Sequence, residues 1–343
     1  MFAAWAIEAA VGWPAFVYAR IGHPVVWIGA LVTACETALN RPAWRETARY
    51  AAGMAATALI VAASALCAAT IAAVLPNTAV GFLVEAAVAS SLLASRSLYE
   101  HVRRVWRPLA AGDLAAARRA VAAVVGRDPD RLDEAGVARA GLESLAENMS
   151  DGVVAPLFWG AILGLPGLAA YKAVNTLDSM IGHRSARYAA FGGFAARLDD
   201  VANAIPARLT GLLIAAASMK RAAFTTMARD APRHRSPNAG WPEAAMAGAL
   251  GVRLSGPRAY GSAPARPSMV GDQEKVVSGA QNENLERSFD ANEASDALLD
   301  EPWLNAAAPD PSPARMHAGL TLYTRALAVG AVVLGLIALE TAT

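Results

Sequence analysis

Long runs of hydrophobic residues alternate with short arginine-rich segments along this chain of 343 residues. A helix needs about 20 apolar residues to cross the roughly 30 Å hydrocarbon core of a bilayer. Residues 51–75 meet that length without a single charge, and residues 23–39, 78–94 and 322–339 form further apolar runs. The pattern therefore predicts several membrane-spanning helices.

The placement of arginine predicts how these helices are oriented. Arginines lie just before residue 51 and just after residue 94, namely Arg41, Arg45, Arg49, Arg96, Arg103, Arg104 and Arg107. The turn at Pro76, which joins the two runs, carries none. Because cytoplasmic loops hold the excess of Lys and Arg, both arginine-bearing flanks are expected in the cytoplasm. A helical segment with a break at Gly126–Pro129 then follows in the cytoplasm.

Residues 153–171 are apolar enough to cross a membrane, but prolines and glycines interrupt them at Pro156, Gly160, Gly164, Pro166 and Gly167. If this segment crosses once, residues 172–200 lie outside the cell. If it re-enters and returns, they stay in the cytoplasm. Irregular backbone at membrane depth is tolerated only where protein or a wet cavity surrounds it. We favour the re-entrant interpretation.

The predicted fold class is all-α: a polytopic helical integral membrane protein with cytoplasmic helical loops and a re-entrant segment. Residues 219–320 contain no predicted span, and Gly271–Ala297 is typical of a solvated helix or a loose tail. The predicted domains are N-terminal transmembrane helices (1–94), a cytoplasmic helical segment (95–152), a motif-bearing membrane-embedded or re-entrant region (153–218), a polar, largely extramembrane region (219–320) and a C-terminal transmembrane helix (321–343).

Composition agrees with a membrane protein. Only 17% of the residues are charged, whereas a soluble domain carries about 25%. The net charge is +1, so bulk charge predicts no nucleic-acid partner.

Carboxylates of the first polar cluster are spaced four residues apart, at Glu143, Glu147 and Asp151. On a helix they share one face. Such a face is often merely solvated, but here it runs directly into the apolar segment that begins at Val153. Both interpretations stay open on spacing alone.

A second cluster contains Lys172, Asn175, Asp178, His183 and Arg184. Hard carboxylate oxygens suit Mg²⁺, and Arg or Lys side chains suit phosphate oxygens. The cluster therefore predicts a metal–phosphate site, although a lone histidine such as His183 is more often structural.

A third cluster contains Arg197, Asp199, Asp200, Asn203 and Arg208. The adjacent aspartates could simply complement a helix N-terminus. Arg208 lies near an apolar run, where a charge costs about 2.5–3.5 kcal/mol on insertion scales, so a partner or a role is expected.

A fourth cluster, Ser236–Glu243, includes Asn238 and follows several basic residues. It predicts either a phosphate-binding helix start or an ordinary turn after a positive membrane anchor. There is no Gly-rich phosphate loop and no nucleophile elbow. The residues alone therefore predict a membrane enzyme or a transporter.

Four motifs in register, Glu143–Pro156, Tyr171–Gly182, Arg197–Arg208 and Ser236–Glu243, resemble the cobalamin-biosynthesis CobD/CbiB family, the membrane-bound adenosylcobinamide-phosphate synthases. The resemblance runs from about residue 8 to 260, and Gly22-His23-Pro24-Val25 is similar to the family's His-Pro-Val segment. In one departure, Glu8 and Gly12-Trp13-Pro14 stand where the family usually has Asp and then Gly-Asp-Pro.

The resemblance implies an ATP-dependent ligase of cobalamin (vitamin B12) biosynthesis. It would join adenosylcobyric acid, a corrinoid, to (R)-1-aminopropan-2-yl phosphate or a similar amino alcohol through an amide bond. The carboxylate must first be activated, which needs ATP, Mg²⁺ and a base. The implied location is a bacterial inner membrane with a cytoplasmic active site, where other membrane enzymes of the pathway are candidate partners.

Residue type suggests a role for each candidate, while the resemblance supplies only the positions. Glu147, Asp151 and Asp178 are the catalytic candidates, the first two as a base or a second metal contact. The metal candidates are Asp178, Asp199 and Asp200. The substrate- and phosphate-binding candidates are Lys172, Asn175, Arg184, Arg197, Asn203, Arg208 and Asn238.

Two rival functions remain open. An ion-coupled transporter would line its pathway with Glu85, Asp178 and Arg208, but the paired broken helices typical of that class are not apparent. A Mg²⁺-dependent membrane prenyltransferase is suggested by the Asn175 and Asp178 pair, but that class needs a second aspartate-rich motif, which is missing.

Overall fold

The computed structural model describes residues 1–122, 129–259, 298–299 and 301–342. The expected break within Gly126–Asp128 and the expected tail Gly271–Ala297 lie outside the described residues. Short strands pair in two antiparallel ladders, β1 with β4 and β2 with β3. The helices are α1 Phe2–Val11, α2 Ala15–Ile21, α3 Pro24–Leu39, α4 Glu46–Val74, α5 Ala79–Ser90, α6 Ser95–Ala110, α7 Leu114–Val121, α8 Glu134–Met149, α9 Ala155–Ile181, α10 Gly193–Ser218, α11 Arg221–Asp230, α12 Gly240–Leu250 and α13 Pro313–Ala342; the strands are β1 Leu254–Ser255, β2 Arg258–Ala259, β3 Leu298–Leu299 and β4 Trp303–Leu304.

Six helical segments in the described part of the chain are long and apolar enough to cross a membrane. Backbone groups have no water to bind in hydrocarbon, so continuous helices are the favoured spanning structure. The predicted all-α, multi-pass membrane architecture is therefore confirmed. The segments are Ala15–Leu39, Glu46–Val74, Ala79–Ala110, Glu134–Ile181, Gly193–Ser218 and Pro313–Leu336.

These segments extend beyond two of the apolar runs seen in the sequence. The expected start of the cytoplasmic segment at residue 95 falls inside the candidate span Ala79–Ala110. Residues 204–218 belong to α10, which begins at Gly193 and so includes the charged residues of the third cluster. A polar helix start can lie in a spanning segment because its side chains bind partners within the protein.

The chain forms two compact units that are discontinuous in sequence. Unit 1 comprises Met1–Leu98, Asn148–Thr210 and Ala328–Thr343, and unit 2 comprises Tyr99–Glu147 and Gly211–Leu327. The five predicted domains divide the chain by its relation to the membrane, whereas these two units divide it by packing. The five domains therefore stay a prediction.

The core of unit 1 forms where α4 and α3 pack against α9. Small residues allow a close approach: a Cβ at Gly53 would overlap the backbone carbonyl of Phe191. The fully buried core side chains are Val32, Ala56, Ile60, Ala173, Leu177, Ile181, Phe191 and Ala195. Three sequence-distant segments are thereby fixed to one another.

Helix α9 reverses direction at Gly164, whose φ of 68° and ψ of −159° are not helical. A Cβ added at Gly160 would lie 3.3 Å from Leu168 Cβ, although eight residues span about 12 Å in a straight helix. The Tyr171 hydroxyl donates to the Asp151 carbonyl at 3.4 Å. The chain therefore runs out from Asp151 and returns beside it, whereas its re-entry into a membrane stays a prediction.

Glu8 joins α1 to the start of α6. Its carboxylate accepts hydrogen bonds from the Ser95 amide at 3.0 Å, from the Arg96 amide at 2.9 Å and from the Ser95 hydroxyl. Helix N-terminal amides lack intrahelical acceptors, so a carboxylate there is stabilising. This structural role accounts for a buried Glu8 in an apolar helix.

Unit 2 is built around α11 and α12, in which every residue but Trp241 is buried. Glu143 accepts from the Ser255 amide of β1 at 2.7 Å. Asp310 binds Arg139 and Arg253, with Arg253 Nε 2.9 Å from Asp310 Oδ1. These two guanidinium groups lower the pKa of the Asp310 carboxyl to about 2.

Candidate active site

A chain of buried hydrogen bonds joins α9 and α10 in unit 1. The Tyr171 hydroxyl donates to Asn203 Oδ1 at 2.8 Å, and Asn203 Nδ2 donates to Asp199 Oδ2 at 2.9 Å. All three residues are at least nine-tenths buried. Asp199 and Asn203 share one face of α10 because they are four residues apart. The three residues therefore form one oriented polar array inside a largely apolar region.

Lys172 lies beside this array and is half-buried. Its ammonium donates to Asn175 Oδ1 at 3.3 Å and interacts electrostatically with the Asp151 and Asp199 carboxylates. A buried ammonium is costly unless carboxylates accompany it. We call Asp151, Tyr171, Lys172, Asp199 and Asn203 the inner cluster.

Asp151 enters the inner cluster from a turn of π-helix, Ser150–Val154, which is inserted between α8 and α9. Such turns shift the register of a helix and are frequent at functional sites. Next to Asp151 within this turn, the Gly152 carbonyl accepts from the Ala94 amide at 3.0 Å. The turn therefore has its own anchor within unit 1.

A second group, the outer cluster, consists of Asp178, His183, Arg184 and Asp200. Asp178 interacts electrostatically with His183 and Asp200, and Asp200 interacts with Arg184. Asp178 lies six residues beyond Lys172 on α9, which is about 9 Å of helix rise. His183, Arg184 and Asp200 are exposed, so this cluster is open to solutes.

The loop that carries His183 and Arg184 is fixed by Arg187. The Arg187 guanidinium binds both Glu36 oxygens at 2.9 Å, and this pairing raises the pKa of Arg187. The Arg187 carbonyl accepts from Asn40 at 3.1 Å and from Arg49. The loop therefore lies at the end of α3 and the start of α4, beside the arginines that the positive-inside rule assigns to the cytoplasm.

The structure brings most candidates of the second and third motifs together, but two arginines lie elsewhere. Arg197 is exposed and contacts Tyr50, with NH1 3.2 Å from the hydroxyl. Arg208 is exposed and donates to the Ala204 carbonyl. It lies on the face of α10 opposite Asp199, because nine residues rotate a helix by two and a half turns. Adjacency in sequence had suggested one common site.

Two further candidates belong to unit 2. Glu147 is exposed near the end of α8. Asn238 is buried just before α12, and its backbone N–H donates to Ser236 Oγ at 3.2 Å.

The three metal candidates do not form one group. Asp199 faces the inner cluster, whereas its neighbour Asp200 faces the outer one, because successive helix residues point about 100° apart. The described residues contain no group of three His, Cys, Asp or Glu side chains able to hold a metal ion. Mg²⁺ often binds through one or two carboxylates plus substrate phosphates. The Asp178 and Asp200 pair, beside Arg184, fits that arrangement.

Sequence inspection did not select His23 as a site residue, although its motif was apparent. His23 caps α3, because its Nδ1 accepts from the Val25 amide at 3.2 Å. It also interacts electrostatically with Lys172. Only the packing of α3 on α9 reveals this proximity.

Comparisons with known proteins agree with the motifs. The family model described as "CobD/Cbib protein" matches residues 1–288. The chain is 50% identical to "Cobalamin biosynthesis protein CobD" of Rhodobacter capsulatus over 98% of the chain and 96% of that protein. A protein of the same name from Brucella suis is 50% identical over 75% of the chain and 81% of its own length. No solved structure matches the chain. The chain therefore belongs to the CobD/CbiB family of cobalamin biosynthesis proteins.

Proposed function

We propose that this membrane enzyme of cobalamin biosynthesis forms an amide bond between adenosylcobyric acid and (R)-1-aminopropan-2-yl phosphate, or a similar amino alcohol phosphate, at the expense of ATP. Family membership supports the pathway and an enzymatic role. The observation that carries the reaction type is the pairing of two clusters along α9 and α10. One is open and suited to phosphate, and the other is largely buried and holds a lysine near two carboxylates.

The outer cluster would bind the phosphates of ATP. Asp178 and Asp200 would hold Mg²⁺, and Arg184 would neutralise phosphate oxygens. When bound, ATP would supply the phosphoryl group that turns the carboxylate oxygen into a good leaving group, and Mg²⁺ would offset the charge of the ATP phosphates. The loop's position beside Arg49 supports a cytoplasmic opening, where ATP is available.

The inner cluster would position the reacting groups. Lys172 stabilises negative charge that develops on the carboxyl oxygen during attack by the amine. Asp151 takes the proton that the substrate ammonium must lose to become an attacking amine, which is the role expected of a carboxylate within reach. Asp199, oriented through Asn203 and Tyr171, places a negative charge near the Lys172 ammonium.

The direct test is a reaction with purified protein in lipid nanodiscs, analysed by mass spectrometry of the corrinoids. Adenosylcobyric acid, aminopropanol phosphate, Mg²⁺ and ATP should yield adenosylcobinamide phosphate and ADP. A deletion strain should accumulate adenosylcobyric acid and be rescued by added cobinamide. Normal cobinamide formation in the deletion strain would refute the proposal.

The Asp178→Asn variant tests the outer cluster within the same assay. It preserves shape and removes charge, and loss of one preorganised electrostatic contact lowers turnover by about 10²–10³-fold in other enzymes. Turnover should fall by that order at unchanged membrane abundance and recover partly at high Mg²⁺. Near-normal turnover would assign Asp178 a structural role at the end of α9.

A further inference from the structure

Trp13 presents a buried indole N–H in the linker between α1 and α2. Within the described part of the chain, no acceptor lies within hydrogen-bond distance of Trp13 Nε1. A buried donor that has lost water and gained no acceptor destabilises a folded protein, so such a group is rare. An acceptor supplied by a ligand would account for its retention.

The linker holds Trp13 in a defined position. The Gly12 amide donates to the Glu8 carbonyl at 2.8 Å, and Gly12 has a φ of 66°. Arg96 NH1 donates to the Ala10 carbonyl at 2.6 Å, while the Glu8 carboxylate binds the start of α6. Three contacts thus fix the chain just before Trp13, and Pro14 restricts the backbone just after it.

A second donor lies against the Trp13 ring. The His23 and Trp13 ring centroids are 5.2 Å apart, with the planes at 72°. His23 Nδ1 accepts from the Val25 amide, so a neutral imidazole carries its proton on Nε2. Lys172 is the charged neighbour of His23. Two N–H donors and an ammonium therefore lie in one contiguous part of unit 1.

We infer that Trp13 and His23 form an oxyanion-binding subsite beside Lys172, in which Trp13 Nε1 and His23 Nε2 donate to an anionic oxygen of a substrate. Both groups are hydrogen-bond donors, so they select an acceptor and reject a cation. The identity of the ligand rests on the proposed function: the oxygen belongs either to the phosphate of the amino alcohol or to the carboxylate of the corrinoid.

The experiment measures equilibrium binding to the full chain in nanodiscs, with inorganic phosphate, aminopropanol phosphate and adenosylcobyric acid as separate probes. Trp13→Phe keeps an aromatic ring and removes the N–H. Trp27→Phe is the matched control, because Trp27 Nε1 already donates to the Ile21 carbonyl at 2.9 Å on an exposed surface. A hydrogen bond to a charged group contributes about tenfold or more in affinity. Trp13→Phe should weaken binding of one substrate by about that factor, whereas Trp27→Phe should bind as the wild type does.

His23→Asn provides a second variant in case Trp13→Phe does not accumulate. Asn is a favoured N-cap, so α3 keeps its cap while the Nε2 donor is lost. The substrate whose binding weakens, phosphate ester or corrinoid carboxylate, identifies the source of the oxygen. Unchanged binding of all probes in either variant, or no binding of any probe to the wild type, overturns the inference. Wild-type binding without amide formation would instead refute the proposed reaction and leave the oxyanion subsite standing.

Discussion

Asn203 is the residue on which the orientation of the inner cluster depends. Its side chain is 1% exposed and bonds both Tyr171 and Asp199. Asn203→Leu keeps the branching at Cγ and the number of side-chain heavy atoms, and it removes both hydrogen bonds. The Tyr171 hydroxyl then loses its acceptor at 2.8 Å and is left with the longer contact to the Asp151 carbonyl at 3.4 Å, while Asp199 Oδ2 loses its donor at 2.9 Å. The methyl groups of Leu are larger than the amide groups that they replace, so overpacking adds to the polar effect.

The expected destabilisation is large. Leaving a buried hydroxyl without its acceptor costs about 1–3 kcal/mol, and removing a donor from a charged acceptor costs roughly 1.5–3 kcal/mol. Together these give about 2.5–6 kcal/mol, against a typical total stability of about 5–15 kcal/mol. Tyr171→Phe alone should cost about 1–3 kcal/mol. The double variant Tyr171→Phe/Asn203→Leu should lose less stability than the two single variants added together, because it contains no buried hydroxyl that needs an acceptor.

Unfolding in detergent, followed by circular dichroism, measures these differences, and nanodisc turnover measures their effect on activity. Thr210→Val is the matched control on α10, because Thr210 is fully buried but its hydroxyl bonds only the Pro206 carbonyl one turn earlier. It should change the free energy of unfolding by less than about 1 kcal/mol. The stabilising role of the hydrogen bonds among Tyr171, Asn203 and Asp199 would be refuted by two results together. Asn203→Leu would be as stable as Thr210→Val, and the losses of stability in the two single variants would add up to that of the double variant.

Three further predictions follow from the structure. A Cβ at Gly182 would overlap the Asp178 carboxylate. Gly182→Ala should therefore displace this carboxylate and lower turnover at unchanged abundance. Normal turnover would show that the position of the Asp178 carboxylate beside Gly182 does not matter. After both native cysteines are replaced, a cysteine at Ser185 should resist an impermeant thiol reagent in intact cells, whereas one at Asn77 should react; labelling at Ser185 would place its loop outside. Asp310 has its pKa lowered to about 2. The contribution of the charged Asp310 carboxylate to folding stability is therefore present above the unfolded pKa of about 3.9 and is lost as the pH falls towards 2. Asp310→Asn should destabilise the chain at pH 7 and have little effect near pH 2, and an equal effect at both values would contradict this.

The sequence predicted the membrane class and the longest helices because these depend on local composition. A run such as residues 51–75 has no favourable environment except a helix in lipid or a protein core, whatever the rest of the chain does. The result is α4, Glu46–Val74. The start of α10 escaped detection, because the charged residues around Asp199 interrupt the apolar pattern of this candidate span.

The candidate site was predicted only in part. Motif positions located Lys172 and Asp199, but spacing could not show that Asp199 and Asp200 serve different clusters, since that depends on which neighbours α10 meets. Nor could it show that Gly164 reverses α9, because a glycine at that position is equally compatible with a bend, a kink or a straight helix.

Tertiary packing alone decided the long-range pairings. Glu8 with Ser95, His23 with Lys172, and Trp13 with His23 join segments that no periodicity relates. The sequence determines which helices form, because each residue's preference for lipid, water or a helical backbone is local. Which polar groups meet depends on the packing of one helix on another, and a buried donor or charge is stable only where that packing supplies its partner.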